Sequence, residues 1–152
     1  MREHQFRNGL RLIRAIAQWA RTSPDADALA LVGSWARGSP SPGSDIDLVV
    51  VGPRPRALAA RADLPRRFGQ VARMAVEDWG IVRARRVHYR NGLEVEFGFA
   101  PRHWCAPPID PGTAAVIANG LIPVVDPQGR LAASVRWVRG GQQRTRHPQS
   151  SD

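Results

Sequence analysis

Two aspartates separated by a single residue are the strongest chemical signal in the chain. Asp45 and Asp47 stand at the start of the apolar run Ile46 to Val51, whose β-branched residues predict a strand. Residues i and i+2 of a strand point to the same face, and their α-carbons lie about 6–7 Å apart. Carboxylates at that spacing can bind one divalent cation, or two cations about 3.5–4 Å apart. Because hard oxygen ligands suit Mg²⁺, the pair predicts a site for one or two magnesium ions.

A glycine–serine pair precedes the aspartates along the chain. Gly33 and Ser34 follow the short apolar run Ala28 to Val32, which predicts a buried strand. Glycine allows a backbone to approach a phosphate closely, and the free N–H groups of a following helical turn face an anion. The pair therefore predicts a phosphate-binding turn, although an ordinary turn has the same composition.

Two glutamates supply further acidic candidates. Glu94 and Glu96 alternate with apolar residues after Asn91-Gly92, a dipeptide typical of a β-hairpin turn. Either glutamate can serve as a third metal ligand. Both can also be the solvated face of a two-stranded edge, where acids commonly alternate with apolar residues.

The combination of these features is more specific than its parts. The segment Gly33 to Gly38 followed by Ser44 to Leu48 resembles the signature of the polymerase-β-like nucleotidyltransferase superfamily. The likeness is strongest to minimal nucleotidyltransferase domains and aminoglycoside nucleotidyltransferases. The sharp match covers Leu31 to Val51, and a looser match extends to about residue 126.

The resemblance implies a role for each matching residue. It assigns nucleotide binding to Gly33, Ser34 and Ser44, and metal binding and catalysis to Asp45 and Asp47. The superfamily also has a third acid on a later strand.

Glu96, between Val95 and Phe97, is the best match to that third acid, with Glu94 as its rival. Many relatives carry aspartate at this position. The third acid often takes the proton from the acceptor hydroxyl. The implied reaction is in-line attack of a hydroxyl on the α-phosphate of a nucleoside triphosphate, with ATP as the expected donor of AMP.

The elements that position these residues follow from periodicity and turn signals. The predicted fold is α/β (α+β), with a small mixed β-sheet flanked by helices. We expect a nucleotidyltransferase domain over residues 1–138 and a disordered polar tail over 139–152. The predicted helices are Phe6–Arg21, Ser34–Arg37 (one turn), Arg54–Gly80 with a break at Leu64-Pro65, Pro111–Asn119 and Gln128–Val138; the predicted strands are Ala28–Val32, Ile46–Val51, Ile81–Arg90, Leu93–Ala100 and Leu121–Val125.

Composition restricts the partners and the compartment. The formal net charge is +9, and all 22 basic residues are arginine, which favours anionic partners, nucleic acid among them. A coding bias toward arginine explains the missing lysine but not the excess of positive charge. Cys105 is the single cysteine, as suits a reducing compartment. The sequence has no signal-peptide core and no membrane span, so we expect a cytoplasmic protein without a membrane partner.

Two classes of function compete. In the first, an enzyme transfers a nucleoside monophosphate to a hydroxyl on an unidentified acceptor; a partner protein or a homodimer would complete its site. In the second, a catalytically degenerate nucleotidyltransferase fold acts only as a binding module, antitoxin-like or RNA-binding. The two separate at Glu96, because transfer chemistry requires its carboxylate to reach the metal position.

Overall fold

A computed structural model describes residues 3–41 and 43–146, with side chains up to residue 141. Helices and strands are interspersed along the chain, with three consecutive strands in its middle, and a 3-10 turn, Arg102–Cys105, follows the fifth strand. The helices are α1 (Glu3–Thr22), α2 (Gly33–Ala36), α3 (Pro55–Ala59), α4 (Asp63–Arg66), α5 (Pro111–Ala118) and α6 (Arg130–Arg146); the strands are β1 (Ala28–Val32), β2 (Ile46–Gly52), β3 (Val71–Trp79), β4 (Val82–Tyr89), β5 (Glu94–Pro101) and β6 (Leu121–Val125).

The strands form one mixed sheet with six members in the order β3-β4-β5-β2-β1-β6. β2 and β5 are parallel, and the other neighbouring pairs are antiparallel. The strand that carries the aspartates is therefore central, and Asp47 lies opposite Val32 on β1 and Glu96 on β5. The predicted fold class, a mixed sheet flanked by helices, is confirmed.

The two faces of the sheet are covered differently. α1 is amphipathic and buries one stripe against one face, together with α3 and α4; this core includes Ile16, Leu48 and Phe97. Alternation along β2 turns Asp47 and Val49 to the opposite face. There Val49 packs with Trp104 of the 3-10 turn and Leu131 of α6. The carboxylates thus lie at the border of an apolar layer.

The prediction of an interrupted helix over Arg54–Gly80 is confirmed for its first part and wrong from Val71 onward. The segment forms two short helices, α3 and α4, followed by the edge strand β3. In β3 the half-buried residues are Val71, Met74 and Glu77, a spacing of three that imitates a helical stripe. β3 pairs with β4 alone, so this strand forms through tertiary pairing and not through a local alternating pattern.

The predicted hairpin is confirmed, but its turn differs. The backbone N–H of Tyr89 donates to the carbonyl of Leu93 at 2.9 Å, which leaves a three-residue loop. Among the described residues only glycines have positive φ, and Gly92 has φ 92°. Asn91 therefore lacks the positive φ that a two-residue turn of this composition requires at both central positions. The Asn91 side chain instead accepts a hydrogen bond from Leu93 N at 3.1 Å, as in an Asx turn.

The last helix extends past its predicted end at Val138. α6 continues to Arg146, so the prediction of disorder from Arg139 is wrong for 139–146. The extension contains Gly140 and Gly141, which are weak helix formers, and it continues a helix that Val138 anchors by packing against Ile117 and Ile109. The rest of the predicted tail, 147–152, lies outside the described residues. Within the described part of the chain, no helix combines the length and the apolar character that crossing a membrane requires.

Candidate active site

Three carboxylates from two strands converge at one end of the central β2–β5 pair. Oxygen atoms of Asp45, Asp47 and Glu96 all lie within 4.8 Å of one another. Asp47 and Glu96 are direct neighbours in the parallel register, and Asp45 is the residue that immediately precedes β2. We call these three residues the carboxylate cluster.

The structure distinguishes the two hairpin glutamates. Glu96 joins the carboxylate cluster, whereas Glu94 lies at the start of β5 and contacts His88 Nδ1 at 3.1 Å. The sequence left both candidates open because they share a face of the same strand. The register of β5 against β2 places only Glu96 beside Asp47.

Burial makes the carboxylate cluster electrostatically unusual. Glu96 is 7% exposed, and its Oε1 is buried without a hydrogen-bond partner in the described structure. Desolvation, followed by the charge of Asp45, raises the pKa of Asp47 to about 6. Desolvation also raises the pKa of Glu96 to about 7, although Arg86 opposes this shift. An orphaned buried oxygen and acids with raised pKa values indicate a site that is completed by a cation.

The glycine–serine turn lies beside Asp47. Gly33 has φ 75°, and a Cβ built on it would clash with Asp47 Oδ2. α2 begins at Gly33 without a side-chain cap. The Ser34 hydroxyl has no hydrogen-bond partner within the described residues. The turn therefore brings uncapped backbone N–H groups and a hydroxyl close to the carboxylate cluster.

This arrangement agrees with a comparison against protein families. The model of the nucleotidyltransferase domain family matches residues 12–99, which include the glycine–serine turn and the whole carboxylate cluster. The chain belongs to the nucleotidyltransferase domain family. The general activity of the chain is nucleotidyl transfer. A comparison with curated proteins found no match to the sequence.

The residues of this nucleotidyltransferase domain fit a divalent cation. The three carboxylates present hard oxygen donors, which Mg²⁺ prefers in proteins. Oε1 of Glu96 has no hydrogen-bond partner among the described residues, so it can serve as a ligand atom for a metal. The chemistry and the geometry of the donors are thus consistent with the metal that the resemblance implies.

Arg86 is a residue of the site that the sequence does not distinguish from the neighbouring arginines Arg83, Arg85 and Arg90. Its guanidinium contacts Asp45 Oδ2 at 2.8 Å, Glu96 Oε2 at 3.3 Å and Glu77 Oε1 at 3.3 Å. In the sequence Arg86 is one of several arginines on β4, and nothing local separates it from Arg83. The register of β4 against β5 places Arg86 opposite Glu96, whereas Arg83 lies opposite Phe99.

A cavity of about 270 Å³ extends from the carboxylate cluster along the same face of the sheet. Small residues form part of its floor, because Gly98 and Ala84 leave space where larger side chains would fill it. Trp79 and Trp104 supply aromatic walls. The full lining is Val32, Gly33, Arg37, Asp47, Leu48, Val49, Trp79, Val82, Ala84, Glu96, Gly98, Trp104, Val116 and Asn119.

Trp35 and Ser44, two residues of the sequence signature, do not line this cavity. Trp35 stacks on Phe6 of α1 with ring centroids 5.4 Å apart. The Ser44 hydroxyl accepts a hydrogen bond from Ser41 N at 2.8 Å and closes the loop before β2. Its role in nucleotide binding stays a prediction.

Replacing Gly33 with Ala tests the close approach of the turn to Asp47. We expect lower stability and loss of metal-dependent stabilisation by ATP, because the added Cβ displaces the Asp47 carboxylate. Gly38→Ala is the matched control, since Gly38 has φ 72° but open space around its Cβ position. Both variants acquire backbone strain of about 1–2 kcal/mol. Equal metal-dependent ATP stabilisation in the two variants, measured by thermal shift, would contradict the proposed contact.

Proposed function

We propose that the protein transfers a nucleoside monophosphate, with ATP as the expected donor, to a hydroxyl acceptor in a Mg²⁺-dependent reaction. The observation that carries the proposal is the convergence of Asp45, Asp47 and Glu96 beside the Gly33-Ser34 turn. Membership of the nucleotidyltransferase domain family supports the reaction class.

Each part of the site has a distinct task in this proposal. The backbone of Gly33 and the hydroxyl of Ser34 hold the triphosphate. Asp45, Asp47 and Glu96 hold one or two magnesium ions. When bound, the metal neutralises phosphate charge and orients the reacting oxygens. The protein otherwise contributes positioning, which supplies much of the rate in phosphoryl transfer.

The proton of the acceptor requires a base. Glu96 is the candidate for this task, because it lies beside Asp47 on the neighbouring strand, where the third acid of similar domains often takes the proton. The acceptor oxygen forms a bond to the α-phosphorus, and the bond between that phosphorus and the bridging oxygen breaks. Pyrophosphate leaves with the bonding electron pair, and the hydroxyl proton passes to the carboxylate.

The cavity beside the carboxylate cluster is the proposed site for the nucleobase. Its volume of about 270 Å³ lies below the roughly 300–1,000 Å³ of sites for whole drug-sized ligands. A single planar ring system therefore suits it better than a complete nucleotide. Trp79, which is 54% exposed, offers an aromatic surface on which a base can stack.

Replacing Trp79 with Ala tests this placement. Trp79 is 54% exposed, so its removal should leave the fold intact. We expect ATP affinity to fall about 5–10-fold, the low end of the effect of losing one stacking contact, while Mn²⁺ affinity stays unchanged. Val76→Ala, an exposed position on the same strand, is the control. Unchanged ATP affinity in the Trp79 variant, measured by calorimetry, would place the base elsewhere.

The acceptor approaches from the open side of the cavity. Trp79, Ile81 and Val116 are exposed apolar residues near its mouth. A partner protein or a second copy of the chain that covers them would bring its own hydroxyl to the site. The basic composition also keeps nucleic acid among the candidate acceptors.

Label transfer tests the proposed activity directly. The protein is incubated with Mg²⁺ and ATP labelled at the α-phosphate, together with small hydroxyl compounds, RNA and proteins as acceptors. We expect label in an acceptor and release of pyrophosphate, and neither product with Asp45→Asn. If ATP and Mg²⁺ produce neither thermal stabilisation nor label transfer, the binding-module alternative is favoured.

A further inference from the structure

Arg86 has an unusual set of partners for an arginine on a β-strand. Three N–H-bearing nitrogens of one guanidinium contact three carboxylates from separate parts of the chain: Asp45 before β2, Glu96 on β5 and Glu77 on β3. The planar guanidinium can donate in several fixed directions at once. Arg86 therefore links the start of one central strand to its neighbour and to the sheet edge.

Within the carboxylate cluster, Arg86 contacts one oxygen of Asp45 and one oxygen of Glu96. Arg86 Nη1 donates to Asp45 Oδ2, and Nη2 donates to Glu96 Oε2. Oε1 of Glu96 is buried and has no partner within the described chain. Asp45 Oδ1 likewise receives no hydrogen bond from a described residue. Asp45 and Glu96 thus each have one oxygen held by Arg86 and one oxygen that accepts no hydrogen bond from a described donor.

Glu77 fixes the guanidinium itself. It contacts Arg86 Nε at 3.3 Å, on the part of the group that is nearest the chain. Since β3 and β4 are paired, this contact restrains the guanidinium plane from the sheet edge. Glu77 thus restrains the Arg86 guanidinium through Nε, and the two terminal nitrogens of the guanidinium contact Asp45 and Glu96.

We propose that Arg86 is a positioning residue that arranges Asp45 and Glu96 for metal binding by holding Asp45 Oδ2 and Glu96 Oε2. This inference rests on the proposed metal site of the preceding section. It assigns to Arg86 a task opposite to that of a simple counter-ion. A counter-ion competes with the metal for the carboxylates, whereas a positioning residue leaves their free oxygens directed toward a shared cation.

The two roles predict opposite effects of removing the arginine. Loss of a positive charge beside a divalent cation strengthens metal binding by electrostatics alone. Loss of a group that orients metal ligands weakens metal binding, typically about 10–100-fold. The sign of the change in affinity therefore separates the two roles.

The experiment measures Mn²⁺ binding to the full chain by electron paramagnetic resonance of the free ion. Asp45→Asn tests the site itself, since it should abolish tight binding. For Arg86→Gln we expect affinity to fall about 10–100-fold. Arg86→Lys should be similarly weak, because an ammonium keeps the charge but lacks the planar fork. Circular dichroism in EDTA establishes that each variant is folded. If Arg86→Gln does not fold, the Mn²⁺ affinity of Arg86→Lys alone tests the proposal.

Arg83→Gln is the matched charge control. Arg83 lies on the same strand and pairs with Asp78, away from the carboxylate cluster, so its loss should leave Mn²⁺ affinity nearly unchanged. Equal or tighter Mn²⁺ binding by the glutamine variant of Arg86, or wild-type binding by its lysine variant, would overturn the positioning role. If the wild-type chain binds no Mn²⁺, the proposed metal site fails instead.

Discussion

Replacing Asp47 with Asn is expected to abolish nucleotidyl transfer while making the metal-free protein more stable at pH 8. Activity should fall at least about 10³-fold, as when a group that stabilises the transition state is lost. The stability gain follows from the pKa of Asp47, which burial and Asp45 raise to about 6. A raised pKa means that folding favours the protonated acid. The contribution of Asp47 to the free energy of unfolding is therefore present at low pH and is lost as pH rises through about 6.

The size and pH dependence of the gain provide the measurement. Each unit of pKa shift corresponds to about 1.4 kcal/mol, and partial exposure reduces the effect, so we expect about 1–2 kcal/mol at pH 8 and almost none at pH 4. Thermal unfolding in EDTA at the two pH values measures it. Asp78→Asn removes the same charge from an exposed position that pairs with Arg83 and should bring no gain. Destabilisation of the Asp47→Asn variant at pH 8 would contradict the assigned cause.

Replacing Glu96 with Gln is expected to remove most of the pH dependence of metal binding. Metal ligands must be deprotonated, and the pKa values of Glu96 and Asp47 are raised to about 7 and about 6. Mn²⁺ affinity of the wild-type chain should therefore rise about 10–20-fold between pH 6 and pH 8. In the Glu96→Gln variant, only the roughly twofold effect of Asp47 should remain, and transfer activity should be lost.

Glu94→Gln is a closely matched control for this prediction. It makes the same chemical change two positions earlier on the same face of β5, where the side chain contacts His88. Its Mn²⁺ titration should keep the wild-type pH dependence, and its transfer activity should persist. If the Glu94 variant and not the Glu96 variant lost activity, the assignment of the third acid would have to be reversed.

Residues with strong local signals were predicted correctly. β1 and β6 have their predicted bounds, and the central strand starts at Ile46 as expected, because short apolar runs rich in β-branched residues and bounded by turn residues are typical of strands. The hairpin around Asn91-Gly92 also follows from its turn chemistry. The spacing of Asp45 and Asp47 alone was enough to place both carboxylates on one face.

Residues whose surroundings depend on distant pairing were predicted poorly. β3 shows a three-residue burial period, and only pairing with β4 makes it a strand. Trp35 follows the glycine–serine pair, yet the packing of α1 turns it into the core, whereas Trp79 and Trp104 line the cavity. Sequence proximity to a motif is thus a weak guide to which aromatic residue faces the site.

The sequence alone determined the family, the acidic pair and the glycine–serine turn, because those features depend on residues that are near one another along the chain. Only the tertiary structure chose Glu96 over Glu94 and brought Arg86 to the carboxylates. Both outcomes depend on strand register, and register is set by the packing of the whole sheet rather than by the residues themselves.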